Sequence, residues 1–293
     1  TMKKNILFFV ILCMGVFSGC FDEDNIHADL ETYWRDYDTL SNDPVLKYVS
    51  EYYYKYGKTF IVDPEPRDYV YNFQSKNTYR LVKPKQDKEN LLAGIALVKD
   101  LFINGYSDNV IKNIFPFNII IADSIVWNPY GEKFELVDIA SSRNFVVFSV
   151  NDKILNYSEK EKEELSTKWN YEFLLKFCIP NGFMNLSQDF YKVSGDQYGT
   201  YHDGHLPKEE WYKKGFVWAE LMEKSWFYDE RTYFPSAESD LEHFFTWLLT
   251  TSNDEVMEVV QTYSLVALKY ELLIGSLENI GIDYKNMGYK SKE

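Results

Sequence analysis

Several kinds of chemistry have no foothold in this chain of 293 residues. It contains no Gly-x-Ser-x-Gly elbow, no Walker loop and no glycine-rich dinucleotide fingerprint after a strand, which removes the local signatures of α/β-hydrolases, P-loop enzymes and dinucleotide oxidoreductases. Positive charge is in deficit: 31 Lys and Arg face 45 Asp and Glu, a net charge of −14. Such an acidic body repels phosphate backbones and excludes a nucleic-acid partner. Long apolar runs are missing as well. Ile6 to Phe17 is too short to cross a bilayer as a stable helix, and no later segment approaches the roughly eighteen apolar residues of a span. Cysteine is reduced to Cys13, Cys20 and Cys178. There is no internal repeat and no low-complexity linker. Carboxylates are plentiful, so a glycosidase pair is identifiable only by spatial separation.

The start of the chain is the most informative stretch present. Lys3 and Lys4 give a positive head, Ile6 to Phe17 is apolar, Ser18-Gly19 leads into Cys20, and Asp22-Glu23-Asp24 follow at once. This resembles a bacterial lipoprotein signal peptide. On that reading residues 1–19 are removed and Cys20 is acylated, palmitate included, on its sulfur and new amino terminus. Several acyl chains hold a protein more firmly than one. The other reading is an ordinary secretory signal with a coincidental cysteine. The acidic run Asp22, Glu23, Asp24 resembles the export signal that carries Bacteroidota lipoproteins to the outer face of the outer membrane; a solvated acidic tether is the alternative. Loss of residues 1–19 takes away Lys3 and Lys4, moving the charge from −14 to −16, and leaves 274 residues. That length suits one large domain or two small ones with a proper core. Cys178 is then the sole remaining thiol, and its place after an apolar stretch suits a small core residue better than a nucleophile. Aromatics reach 18%, with 24 Tyr, 21 Phe and 7 Trp; spacing favours a core role over sugar or peptide platforms.

Residues 20–42 read as an acidic tether and 43–293 as a single domain. Asp43 as N-cap, Pro44 at the first helical position and the stripe Val45, Leu46, Val49, Tyr52, Tyr53, Tyr56 before Gly57 predict a helix. Thr59 to Val62 and Tyr69 to Phe73 alternate like a hairpin around Pro64-Glu65-Pro66. Helices are predicted over Lys88 to Asn104 and from Ser107 to before Pro116. Asn118 to Trp127 and Phe145 to Val150 read as buried strands, with a turn at 128–131 between them. Asp123 is either a partner for a central polar group or a strand-end residue bonding to a turn. Ser158 and Glu161 make a capping box for a helix reaching Phe177. Residues 181–206 read as a long loop, with short helices around Glu209 and Trp218, a helix from Ser239 to Thr250 and one from Asn253 to Asn279.

Tyr48 to Phe73, Asn113 to Ile119, Gly215-Phe216-Val217, Asp240-Leu241 and Gly281-Ile282-Asp283-Tyr284, in that order, resemble a Bacteroidota lipoprotein family of zinc-binding metallopeptidases, the substrate import-associated zinc metallohydrolases encoded beside Sus-type importers. The resemblance implies an α+β, zincin-like metallopeptidase-type domain with a small mixed sheet and a mainly helical C-terminal half. It also implies a His-Glu-x-x-His motif, in which two histidines one turn apart hold zinc and the glutamate activates its water. Here those positions carry Tyr171, Glu172 and Leu175, and the family's later acidic ligand falls on Ser239, with Glu238 one residue away. Glu172 survives as a vestige and both histidines are gone. The expectation is therefore a non-catalytic cell-surface lipoprotein without a cofactor. It would be an accessory binding or scaffolding subunit beside a TonB-dependent transporter and its substrate-capturing lipoprotein, held at the outer membrane through Cys20 and facing the exterior. An oligopeptide or oligosaccharide is its expected ligand. Phe145 to Val150 is expected to form the sheet edge for an extended ligand, with Tyr171 filling part of the space left by metal. Two alternatives stand beside this. One is a metallohydrolase with zinc relocated to His202, His205 and His243, against which the Asp203-Gly204 turn explains the first pair without metal. The other is a surface glycan-binding protein using its Trp and Tyr residues. His27 falls in the tether and takes no role.

Overall fold

The computed structural model describes residues 37–70, 79–128 and 134–289, which belong to one unit, Tyr37–Glu293. Cys20, Asp22, Glu23, Asp24 and His27, and most of the predicted turn at 128–131, lie outside the described residues. In chain order the N-terminal half holds α1 (Pro44–Tyr56), β1 (Thr59–Ile61), α2 (Pro66–Tyr69), β2 (Tyr79–Val82), α3 (Lys88–Leu101), α4 (Asp108–Asn113), β3 (Asn118–Ala122), β4 (Ser124–Trp127), β5 (Glu135–Val137), β6 (Ile139–Ser142) and β7 (Phe145–Ser149). After the short α5 (Asp152–Leu155) come α6 (Glu159–Phe173), α7 (Asp189–Ser194), β8 (Tyr201–Asp203), α8 (Lys208–Tyr212), β9 (Glu220–Met222) and β10 (Arg231–Tyr233), then α9 (Ala237–Thr250), α10 (Asn253–Thr262) and α11 (Ser264–Glu278). The fold is mixed α and β, with a mixed four-stranded sheet and a mainly helical C-terminal half. Among the described residues no helix is long and apolar enough to cross a membrane.

Local chemistry sets the helix ends. The Asp43 carboxylate accepts from the Val45 and Leu46 N–H groups, Pro44 opens α1, and Gly57 at φ 67° closes it. The expected tether ends earlier than residue 42. Tyr37 stacks on Tyr53 at 4.0 Å and the Asp38 N–H donates to Ser50 Oγ at 2.8 Å, so residues 37–42 dock on α1.

After the predicted turn, Pro66 starts the helical turn α2, capped reciprocally by Glu65 and Asp68, which takes in Tyr69, the first residue of the expected second strand; residues 71–73 of that strand lie outside the described part. β1 instead pairs in parallel with β3, a geometry that needs a long crossover, supplied here by α3 and α4. The sheet order is β1-β3-β7-β6, with β6 antiparallel to β7. This corrects the expected edge at Phe145 to Val150: β7 is flanked on both sides and wholly buried, while β1 and β6 are the outer strands. The run Asn118 to Trp127 is two strands in two sheets. At Asp123 the chain leaves the mixed sheet, and β4 pairs antiparallel with β2 and β5. The Asp123 N–H donates to the Val82 carbonyl at 2.8 Å, its carbonyl accepts from Ser149 Oγ at 2.9 Å, and its carboxylate accepts from Ser124 Oγ at 2.7 Å. Asp123 thus takes the strand-end role.

The main core lies between the mixed sheet and α3 and α6. Phe102, Phe115, Phe148, Trp169 and Phe173 interlock at centroid distances of 4.7 to 5.4 Å. Cys178 is a fully buried free thiol in this core, and burial pushes its ionisation far above the usual thiol range. Farther on, the predicted loop 181–206 contains α7 and β8, and Trp218 precedes β9 rather than sitting in a helix. β8, β10 and β9 form a small antiparallel sheet in the order β8-β10-β9. The predicted final helix breaks at Tyr263, whose extended backbone (φ −120°, ψ 104°) separates α10 from α11.

Candidate functional site

Helix α6 is positioned by a polar spine on its buried face. Asn170 Oδ1 accepts from the Tyr106 hydroxyl at 2.8 Å, Asn170 Nδ2 donates to the Ser166 carbonyl at 2.8 Å, and Ser166 Oγ donates to the Leu101 carbonyl at 2.5 Å. With Asn170 fixed inward, Tyr171 and Glu172 come to the outer side of the helix. The capping box of Ser158 and Glu161 opens α6 as expected. Its C-terminal end widens into a π-helical turn, Leu174–Cys178, with the Ile179 N–H bonded to the Leu174 carbonyl at 3.0 Å. Such turns recur at functional sites.

Tyr171, Glu172, Leu175, Lys176 and Ile179 form one wall of a cleft of about 590 Å³. Ala237, Glu238, Leu241 and Glu242 of α9 form the second wall, and Gln188 and Tyr191 close it. The volume falls within the roughly 300–1,000 Å³ typical of small-molecule sites. Three positions singled out from the sequence, Tyr171, Glu172 and Leu175, therefore meet at one opening. Ser239 does not join them. Its N–H bonds Ser236 Oγ at 3.2 Å and its hydroxyl lies 3.0 Å from the same oxygen, so it serves the N-cap of α9. Glu238 faces the cleft in its place.

The residues present do not fit a zinc ion. Leu175 has no donor atom. Tyr171 is held as the neutral phenol: partial burial raises its pKa first, and the charges of Glu242 and Glu172 raise it further, with Glu242 also accepting its hydrogen bond. The Glu172 carboxylate is only 14% exposed and pairs with Lys176 one turn along. Among the described residues no group of three His, Cys, Asp or Glu side chains is arranged to hold a metal.

The relocated set His202, His205 and His243 is likewise not assembled. His202 Nδ1 lies 2.7 Å from the Asp203 carbonyl and His205 Nε2 lies 3.0 Å from the Met222 carbonyl, both exposed at the small sheet. His243 stacks on Trp218 at 3.8 Å with the rings 14° apart. Burial lowers its pKa, an effect the Glu242 charge opposes.

Behind the α9 wall sits a feature that sequence reading missed. Lys269 Nζ contacts Asp240 Oδ2 at 2.6 Å with side-chain exposures of 0% and 1%, and it donates to Ser194 Oγ at 2.6 Å. The Tyr198 hydroxyl donates to the same Asp240 oxygen at 2.9 Å. Burial raises the Asp240 carboxyl and lowers the Lys269 ammonium, each opposed by the other's charge. This pair ties α9 to α11 and α7, and so fixes two walls of the cleft. The available signal was a lone lysine following the apolar run Leu265-Val266-Ala267-Leu268 in a largely apolar helix. Lys176 was readable too, four residues after Glu172. Tyr191 and Gln188 carried no signal, because α7 lies in a stretch that reads as loop.

No protein-family profile matches this chain, and no curated protein does. Among solved structures, the chain is similar to a Bacteroides caccae protein described as a "putative zinc-binding metallo-peptidase", at 13% identity over 81% of this chain and 85% of that one, with a TM-score of 0.47.

Proposed function

We propose that this chain is a cell-surface lipoprotein of zincin-like architecture whose metallopeptidase centre has become a ligand-binding cleft. In this reading it is an accessory binding or scaffolding subunit of a Sus-type importer, working beside a TonB-dependent transporter and its substrate-capturing lipoprotein. It is held at the outer membrane through acylated Cys20. The carrying observation is the cleft itself: the positions that resemble a zinc motif, Tyr171, Glu172 and Leu175, line an opening large enough for a small ligand. Glu172 there pairs with Lys176. A glutamate so engaged has no polarised water to act on, whereas a partly apolar concave wall still binds. An extended ligand continuing from the cleft has β6 as the nearer free edge, since β6 packs against α6 and the π-turn. The test is gentle-detergent purification from outer membranes, with binding and hydrolysis of oligopeptides and oligosaccharides measured on the mature protein. Recovery with the transporter pair and binding without chelator-sensitive cleavage support the reading. Recovery alone with no ligand bound, or one zinc per chain with chelator-sensitive hydrolysis, overturns it.

One observation favours a second reading, glycan capture at another surface. Trp226 and Phe227, 96% and 89% exposed, sit between β9 and β10 on a turn held by the Ser225 N–H to Tyr228 carbonyl bond. Oligosaccharide binding abolished by Trp226→Ala but untouched by Tyr171→Ala would favour this reading over the cleft.

A further inference from the structure

The cleft between α6, α7 and α9 is electrically one-sided. Glu172, Glu238 and Glu242 line it against a single cation, Lys176, and that cation is already paired with Glu172. Glu238 and Glu242 stand four residues apart on α9, a spacing at which like charges destabilise a helix. Among the described residues neither has a cationic partner. Two tyrosines report the same negative field. After burial, Glu242 and Glu172 raise the pKa of Tyr171, and Asp240 and Glu238 raise that of Tyr191.

Beneath the carboxylates the surface is apolar, formed by Leu175, Ile179 and Leu241. A ligand with an apolar stem and a positive head matches both parts. Methylene groups or a sugar ring cover the floor, while the head reaches the rim carboxylates and the faces of the phenol rings. An anionic ligand meets three carboxylates and is repelled.

We propose that this cleft selects ligands carrying an organic cation, an ammonium or guanidinium group, recognised by Glu238 and Glu242. This rests on the binding reading above and adds the charge class of the ligand. The same chemistry is offered by a lysine side chain in a short peptide and by a de-N-acetylated amino sugar.

Calorimetry on the mature protein separates these sources with four probes: a lysine-containing tripeptide, its Nε-acetyl counterpart, a glucosamine trimer and the N-acetylglucosamine trimer. The expected result is that at least one cationic probe binds about tenfold or more tighter than its acetylated partner and weakens with salt. Glu238→Gln and Glu242→Gln should each weaken it by about threefold to fivefold, and the double variant by about tenfold or more. Both side chains are exposed on a helix, and circular dichroism shows whether the variants remain folded. Whichever cationic probe binds identifies the source. Equal binding of the acetylated probes overturns charge selection while leaving the binding cleft intact. No binding of any probe overturns both.

Discussion

Replacing Lys269 with methionine removes the one cation that neutralises a carboxylate buried behind the cleft, while keeping a stem of similar length. In the native protein Lys269 Nζ lies 2.6 Å from Asp240 Oδ2, 2.6 Å from Ser194 Oγ, and 4.8 to 5.2 Å from the ring centres of Phe216, Phe190 and Tyr198. The substitution leaves Asp240, 1% exposed, with the Tyr198 hydroxyl as its remaining donor, and Asp240 Oδ1 is already unpartnered. Stranding one member of a buried pair costs about 3–5 kcal/mol, most of it the desolvation of the charge left behind. At about 2–4 °C per kcal/mol for a unit of this size, the melting temperature should fall by roughly 6–20 °C. Urea unfolding followed by tryptophan fluorescence, with calorimetry, measures this. The double variant Lys269→Met/Asp240→Leu should recover much of the loss, because no charge is stranded. The pH response has a definite sign. Without Lys269 the folded Asp240 carboxyl lies farther above its unfolded value of about 3.9. The variant's deficit is therefore full above the raised folded value and shrinks as the pH falls through it. A Lys269→Met protein within about 1 kcal/mol of the parent, or a double variant worse than the single, would refute the reasoning.

Three further outcomes are expected. His243 is held below its ordinary pKa chiefly by burial, so its contribution to stability is present above the unfolded value of about 6.5 and is lost as the pH falls through the lower folded value; His243→Phe, which keeps a ring against Trp218, should flatten unfolding curves between about pH 7 and 5. Gly215 sits at φ 80°, and an added Cβ would meet Ser194 Oγ at 3.0 Å and Leu265 Cβ at 3.3 Å; Gly215→Ala should cost about 1–3 kcal/mol in urea unfolding, and a neutral result would show that the backbone relaxes freely there. Cys20→Ala should leave an uncleaved or mislocalised precursor, and neutralising Asp22, Glu23 and Asp24 should remove access to external protease; a soluble product starting at another residue, or unchanged access, counts against the anchor and the export run respectively.

Short-range chemistry is where the sequence spoke most clearly. Asp43 with Pro44, the Ser158 and Glu161 box, and Gly57 after a stripe of apolar residues mark helix ends, because a cap is a contact between neighbours in the chain. Tyr171, Glu172 and Leu175 were singled out by the resemblance to a His-Glu-x-x-His motif, and helical spacing, which brings residues three and four apart to one side, is why they then share a face. That these positions carry no imidazole was also plain from the residues alone. Pairing across distance was not legible. The run Asn118 to Trp127 is Ile- and Val-rich on both sides of Asp123-Ser124, yet β3 and β4 join different sheets, a choice made by partners that lie tens of residues away. The same holds for β7, whose composition suits an edge or a centre until β6 and β3 bind its two sides.

The cleft shows the division most directly. Residue identities along α6 set what its wall can do, an acid and a phenol with no metal donor of the expected kind. Packing set what faces it. The cap at Ser236 turns Ser239 away and brings Glu238 and Glu242 round, and the contact between Lys269 and Asp240 binds α9 to α11 across 29 positions of sequence. A side chain's charge and shape are intrinsic to the residue and can be read one at a time. Which charges share a cavity depends on chain segments that meet only when the core forms.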